Sequence, residues 1–140
     1  MTLLDTNVVS EILKPHPSDA VANWLRKYPR SQLFTTAVTE SEILYGVAIM
    51  PEGKRRSVLA AEVEGIFQDL FGDRILSFDS RAARAYAEIS ASRRLMGRPM
   101  SQADAQIGAI ALTHGAAIAT RNIADFEKCG IELVNPWIHT

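Results

Sequence analysis

Met1-Thr2-Leu3-Leu4-Asp5-Thr6-Asn7 decides how this chain is read. Met1 to Leu4 form a short apolar run, and Asp5-Thr6-Asn7 follow at once. Val8, Val9, Ile12 and Leu13 then fall at one-face helical spacing, with Ser10, Glu11 and Lys14 between them. An apolar strand that ends in an aspartate and turns directly into a helix places that carboxylate at the carboxyl edge of a sheet. Open α/β sheets bind their ligands at that edge.

Working outward, the same alternation repeats. Pro15-His16-Pro17-Ser18 breaks the first helix, and a second runs from about Asp19 to Lys27 until Tyr28-Pro29 ends it. Gln32 to Ala37 read as a strand, and Thr39-Glu40-Ser41-Glu42 opens a helix that reaches Met50. After the turn Pro51-Glu52-Gly53, the basic cluster Lys54-Arg55-Arg56 reads as a solvated first turn. A helical stripe from Ser57 to Phe71 follows, through Leu59, Val63, Ile66, Phe67 and Leu70. Ile75 to Phe78 make a third strand, Asp79-Ser80 starts a helix through about Leu95, and Gly97-Arg98-Pro99 interrupts it. Ser101 to His114 form the next helix, stopped by Gly115 in the αL manner. Ala117 to Thr120 and Ile131 to Val134 are the last two strands, and Asn135-Pro136-Trp137 closes the pattern. Strands alternating with helices imply one α/β domain over residues 1–140, with a compact, mostly parallel five-stranded sheet flanked by helices on both faces.

Composition excludes several function classes. The 15 basic and 16 acidic residues give a formal net charge of -1, which argues neither for nor against nucleic acid as a partner. Cys129 is the single cysteine, so there is neither a disulfide framework nor a thiolate zinc site. His16, His114 and His139 are scattered and make no metal cluster. No apolar run is long enough to span a bilayer, and the first residues lack the basic region and apolar core of a secretory signal. The expected compartment is the cytoplasm, with no membrane partner.

Four acids sit where a strand ends or a helix begins: Asp5, Glu42, Asp104 and Asp125. Each has an ordinary structural reading. Asp5 suits an N-cap, Thr39-x-x-Glu42 and Ser101-x-x-Asp104 match the capping box, and Asp125 suits a surface turn. As a set they suggest more, because helix starts far apart in sequence open on the same sheet edge. Ionised carboxylates gathered there repel one another. A hard divalent cation relieves that repulsion, and Mg²⁺, with Mn²⁺ as the alternative, takes oxygen ligands, waters and substrate phosphate. Such an ion suits phosphodiester hydrolysis. Asp79 also follows a strand and begins a helix, but no hydroxyl–acid box surrounds it, and it reads as a cap.

Around this set, Thr6 and Asn7 either orient a water or simply start a helix. Thr120 either orients a metal ligand or packs, and Arg121 stands where it can meet a phosphate. Arg93, Arg94 and Arg98 are read either as a basic rim beside the Asp104 helix or as a solvated face. Trp24 and Trp137 are read as core or interface residues.

These motifs resemble a family. Leu3-Leu4-Asp5-Thr6-Asn7, Thr39-Glu40-Ser41-Glu42-Ile43-Leu44-Tyr45-Gly46, Ala103-Asp104-Ala105-Gln106-Ile107-Gly108-Ala109-Ile110-Ala111 and Ala119-Thr120-Arg121-Asn122-Ile123-Ala124-Asp125-Phe126 resemble the PIN domain in order and spacing. More narrowly the chain looks like a VapC toxin, and Asn135-Pro136-Trp137 resembles the FitB branch. The resemblance implies a PIN-like fold and a Mg²⁺-dependent endoribonuclease acting as the toxin of a type II toxin–antitoxin pair. It implies Asp5 and Asp104 as principal metal ligands, with Glu42 and a fourth acid completing the site. It also implies a homodimer and a VapB/FitA-like antitoxin whose C-terminal segment blocks the site, DNA being reached only through that antitoxin. The FitB-like pattern carries an acid where this chain has Asn122, whereas many VapC chains carry Asn there and the acid three positions on, as with Asp125. The fourth position stays open between these arrangements, and a second metal with it.

Two other readings stand beside this one. A phosphoacceptor domain also places an Asp at a strand end, but it wants an acidic pair before that strand and a late Lys, where this chain has Thr120-Arg121. A catalytically silent PIN-like module that only binds a partner protein needs the same surface without the chemistry.

Overall fold

In the computed structural model, which describes residues 1–138, β1 (Thr2–Leu4) is the middle strand of a five-stranded sheet of order β3-β2-β1-β4-β5. Its neighbours are β2 (Leu33–Thr36) and β4 (Ala117–Ala119), with β3 (Ile75–Leu76) and β5 (Leu133–Val134) at the edges. Every pairing is parallel. Leu3 lies opposite Phe34 on one side and Ile118 on the other, while Leu4 pairs with Ala119. The ladder runs one residue past the strand, because the Asp5 amide donates to Ala119 O at 3.1 Å. The Thr35 hydroxyl donates to Leu4 O at 2.9 Å. The backbone entering Asp5 is therefore held from both flanking strands.

Side-chain alternation along β1 splits the interior in two. Leu4 points into a core with Val8, Val9, Val21, Trp24, Val47, Val63 and Phe71. It is built from α1 (Thr6–Ile12), α2 (Asp19–Arg26), α3 (Ala37–Ala48) and α4 (Lys54–Gly65). Leu3 points the other way, to Ala82, Ala85, Ile89, Ile107, Ile110 and Phe126. That core lies under α5 (Ser80–Leu95) and α6 (Gln102–His114). Both leucines are essentially inaccessible, so either Leu→Ala change should cost about 2–5 kcal/mol.

The elements follow the expected order and differ at their ends: β2 is Leu33–Thr36 where Gln32 to Ala37 was expected, and β5 is Leu133–Val134 where Ile131 to Val134 was expected. The third helix begins at Ala37, and Thr36 caps it by accepting from Thr39 N at 3.1 Å. The Thr39-x-x-Glu42 capping box is therefore corrected: Thr39 sits inside the first turn and Glu42 lies beyond the cap. The fourth helix starts at Lys54, since nothing after Gly53 breaks it, so the basic cluster is its first turn. Its continuation, Ile66–Phe71, widens to π geometry. Only Ile75 and Leu76 pair as β3, because Phe78 leaves the sheet to pack edge-on against Tyr86 with ring centres 5.8 Å apart.

Asp79 caps α5 by accepting from Ala82 N at 3.0 Å, as expected of it. Gly115 ends α6 in the left-handed region, with φ 63°. Trp24 is core, and no described helix is long and apolar enough to cross a membrane. His16 and His114 are exposed, while His139 lies outside the described residues.

Candidate active site

Asp5 occupies the point where β1 becomes α1, and it is buried, with 5% of its surface exposed. Its Oδ1 accepts from Val8 N at 3.1 Å, so it does cap α1. The Asn7 amide and the Thr120 hydroxyl also lie against the carboxylate. Thr120 is itself fixed: its amide donates to Val134 O at 2.9 Å, and its Oγ1 accepts from Asn122 N at 3.0 Å. Burial raises the Asp5 carboxyl to about 6; the hydrogen bonds from Thr120 and Val8 oppose that rise, and the charge of Asp104 adds to it. A cap needs one oxygen and no neighbouring acid, so capping alone does not account for this residue.

Asp104 lies in the first turn of α6, half-buried, where Ser101 caps the helix by accepting from its amide at 3.1 Å. The Ser101-x-x-Asp104 reading holds in this half of the box. Burial again raises the Asp104 carboxyl; the Ser101 hydroxyl opposes this, and the charges of Asp125 and Glu42 push it further up. Asp104 is thus the hub: it senses Asp125 and Glu42, and its own charge is sensed by Asp5.

Glu42 projects from the second turn of α3 and is exposed, but its Oε1 is not idle. It lies 2.6 Å from Thr6 Oγ1, which also lies 3.2 Å from Thr39 Oγ1. A hydroxyl has one proton. At the shorter distance Thr6 gives it to Glu42, and Thr39 then donates to Thr6. Thr39 was not singled out as a functional residue by its sequence. Its signal was available, because a buried threonine one turn before an acid faces the same way on a helix.

Asp125 lies in a 3-10 turn, Ile123–Phe126, that follows β4. The charge of Asp125 acts on Asp104. Asn122 contributes its amide to Thr120. Arg121 is exposed, with its guanidinium carbon 5.0 Å from the centre of the Trp137 ring. Asn135 holds this corner, donating to Arg121 O at 3.3 Å and accepting from Trp137 N at 2.9 Å.

Arg93, Arg94 and Arg98, expected as a basic rim or a solvated face, divide. Arg94 and Arg98 are exposed, and Arg98 pairs with Glu127 at 3.5 Å. Arg93 is buried, at 4% exposure, and donates to the carbonyls of Arg98, Asp125 and Glu127 at 2.8, 3.1 and 2.9 Å. It is neither rim nor solvated face. Its place was legible, since Ala82, Ala85, Ile89 and Arg93 continue one buried helical stripe.

The acids whose charges act on Asp104 offer carboxylate oxygens, whose mutual repulsion a divalent ion would relieve, so their chemistry fits Mg²⁺ or Mn²⁺. Among the described residues, no three Asp, Glu, His or Cys side chains stand close enough together to enclose one ion. The charges of these acids act on one another, but the side chains form no closed cage. A groove of about 870 Å³ is lined by Thr6 and Glu42 together with Leu13, Val47, Val58 and Val63, and not by Asp5, Asp104 or Asp125.

The PIN domain family matches residues 2–130. The chain is 39% identical over 137 residues to "VapC ribonuclease Y4jK" of Sinorhizobium fredii, covering 98% of each protein. It is 37% identical over 137 residues to "Toxin FitB" of Neisseria gonorrhoeae, covering 98% of this chain and 99% of that one. Among solved structures, that of FitAB bound to an IR36 DNA fragment superposes with a TM-score of 0.93 at 36% identity, covering 100% of this chain and 98% of that one.

Proposed function

The chain belongs to the PIN-domain family, and from that premise we propose that it is a divalent-cation-dependent endoribonuclease, the toxin of a toxin–antitoxin pair. The observation that carries this reading is the placement of buried Asp5 at the end of β1 and of Asp104 in the first turn of α6, near enough for the charge of Asp104 to act on Asp5 and for those of Asp125 and Glu42 to act on Asp104. Structural caps do not need neighbouring acids. A phosphodiester-cleaving centre does, because the acids hold the ion that offsets the negative charge of the substrate.

In this reading Asp5 and Asp104 hold the ion, with Mg²⁺ the expected metal. When bound, the cation offsets charge on the phosphoryl group and lowers the pKa of an attacking water. Thr120 and the Val8 amide keep the Asp5 carboxylate in one orientation. Glu42, held at Oε1 by Thr6, offers its other oxygen to a water proton. Asp125 completes the acidic set, and Arg121, steadied on Trp137, meets a flanking phosphate.

The partner is a second chain of the VapB/FitA kind, which brings the complex to operator DNA. The apolar groove that Thr6 and Glu42 help to line suits the C-terminal segment of such an antitoxin, because a peptide lying there covers Glu42. The working form is a homodimer in the cytoplasm.

The test is cleavage of a total-RNA pool, mapped to single positions, with and without EDTA. Cuts that vanish with EDTA and in Asp104→Asn, while that variant keeps its circular dichroism spectrum, are expected. Unchanged cutting in folded Asp5→Asn and Asp104→Asn would end the proposal. The absence of a closed cage among the described acids favours a second reading, a silent module that only holds a partner. Growth arrest on expression that Asp5→Asn leaves intact would favour that module.

A further inference from the structure

Arg93 is a buried cation that the chemistry above does not use. It forms no ion pair among the described residues, and its charge acts on Asp104. A buried guanidinium needs its donors satisfied. Here main-chain carbonyls do this, and they come from two different segments. Nε donates to Arg98 O at 2.8 Å, in the link that leads to Ser101 and the start of α6. Nη1 donates to Asp125 O at 3.1 Å and Glu127 O at 2.9 Å, in the turn after β4. Cys129 Sγ lies 3.8 Å from the same nitrogen. One buried side chain therefore joins the segment that presents Asp104 to the turn that presents Asp125.

The turn is also held at its ends, by the Asn122 amide on Thr120 Oγ1 and by the Arg98–Glu127 pair, but among the described residues Arg93 is the side chain bonded to the main chain of Asp125 itself. Asp125 is exposed, and the main-chain bond that closes the turn is local, from Asp125 N to Asn122 O at 3.0 Å. Phe126 anchors the end of the turn in the core, but an aromatic contact does not set the angle of the preceding residue. The bond from Arg93 Nη1 to Asp125 O, shared with Glu127 O, restrains the main chain at Asp125 itself.

We propose that Arg93 is a positioning residue of the acidic site, which sets the placement of Asp125 relative to Asp104 and thereby the affinity for a divalent cation. This rests on the metal-dependent nuclease reading. Groups that orient the ligands of a metal commonly change its affinity by about 10–100-fold when removed. Arg93→Gln should therefore raise the Mg²⁺ concentration for half-maximal cleavage, and the Kd for Mn²⁺ measured by calorimetry, by about tenfold. Arg93→Lys keeps the charge but not the fork, and should shift both by a smaller factor.

The deciding experiment is a double-mutant cycle with Asp125→Asn, read by Mn²⁺ calorimetry and by Mg²⁺-dependent cleavage, each variant first checked by circular dichroism and thermal melting. If Arg93 acts through Asp125, Arg93→Gln adds less than about twofold to the Kd of Asp125→Asn. An equal tenfold loss in both backgrounds would overturn the proposal, as would an unchanged Kd in folded Arg93→Gln. If Arg93→Gln does not fold, Arg93→Lys carries the same cycle, and an unaltered Kd there is equally decisive against it. Wild-type protein that binds Mn²⁺ without cutting RNA would end the nuclease reading while calorimetry still decides the role of Arg93. Wild-type protein that binds no Mn²⁺ would end both.

Discussion

Thr6 Oγ1 lies 2.6 Å from Glu42 Oε1, and this bond joins the first turn of α1 to the second turn of α3 across 36 positions. The same oxygen meets Thr39, so one hydroxyl serves two helices. Replacing it tests whether Glu42 is held for a purpose. Thr6→Val removes the donor to Glu42 and leaves the buried Thr39 hydroxyl without its acceptor. The expected loss is about 1–3 kcal/mol by chemical denaturation. Cleavage should fall with it, and Thr6→Ser should restore both. Full activity in folded Thr6→Val would show that the restraint on Glu42 serves stability alone.

The raised carboxyl of Asp5 gives a pH dependence with a definite sign. Its folded pKa, about 6, lies above the ordinary aspartate value of 3.8, chiefly through burial. Between those values the native state holds more protons than the unfolded one, so the metal-free protein loses stability as pH rises from about 4 to 6. The shift corresponds to roughly 3 kcal/mol at neutral pH. Asp5→Asn removes the buried charge and keeps a capping oxygen for Val8 N. In EDTA at neutral pH it should melt higher than wild type, and its stability should be nearly flat across that window. A lower melting temperature for Asp5→Asn at neutral pH would refute the sign.

A divalent cation should reverse that relation. It favours the ionised carboxylates, so Mg²⁺ should raise the melting temperature of wild type more at pH 7.5 than at pH 5. Asp104→Asn should lose most of this gain, and EDTA should abolish it. Equal stabilisation at both pH values would point to an effect unrelated to these acids.

Glu11 supplies a contrast at the other end of α1. It is buried, and the Lys14 side chain, 2.9 Å away, together with the Ser18 amide holds its carboxyl below the usual glutamate range. A lowered pKa contributes stability above the unfolded value of about 4.3, and this is lost as pH falls through the folded value. Glu11→Gln should therefore destabilise at pH 7, by about 1–3 kcal/mol, and approach wild type in acid. It should leave Mg²⁺ dependence unaltered, because Glu11 pins the α1–α2 link and lies outside the acidic set. Urea midpoints at pH 7 and pH 3 check the first part, and calorimetry the second.

The path of the chain was legible because periodicity is local. Leu3 and Leu4 alternate between two cores, and Ala82, Ala85 and Ile89 mark one face of α5, as their spacing required. What escaped was any choice among equivalent hydrogen-bonding partners. Thr35, Thr36 and Thr39 each offer a hydroxyl near the start of α3, and only the tertiary fold assigns one to Leu4 O, one to the cap and one to Thr6. Charge type misled at Arg93, because a basic residue near a helix end suggests solvent, whereas its helical phase pointed inward. For the site, the parallel α/β reading placed Asp5 and Asp104 at one sheet edge. Their separation, and that of Glu42 and Asp125, depends on loop geometry that no spacing encodes.

Arg121 and Trp137 give the last test, which bears on substrate rather than metal. The guanidinium lies 5.0 Å from the ring centre and directly follows Thr120, the residue that braces Asp5. Stacking restricts the side chain without neutralising it, which prepares it for phosphate. A phosphate contact acts on all sequences alike and through released counterions. Arg121→Ala should therefore weaken binding to unrelated single-stranded RNAs by similar factors, and should lower the slope of log K against log salt by about 0.7. Trp137→Leu keeps the charge, so it should weaken binding less and leave that slope intact. Fluorescence anisotropy in EDTA, across a salt series, reads both without cleavage. A slope unchanged in Arg121→Ala would remove Arg121 from the RNA path and reduce its stacking on Trp137 to a tether for the C-terminal segment.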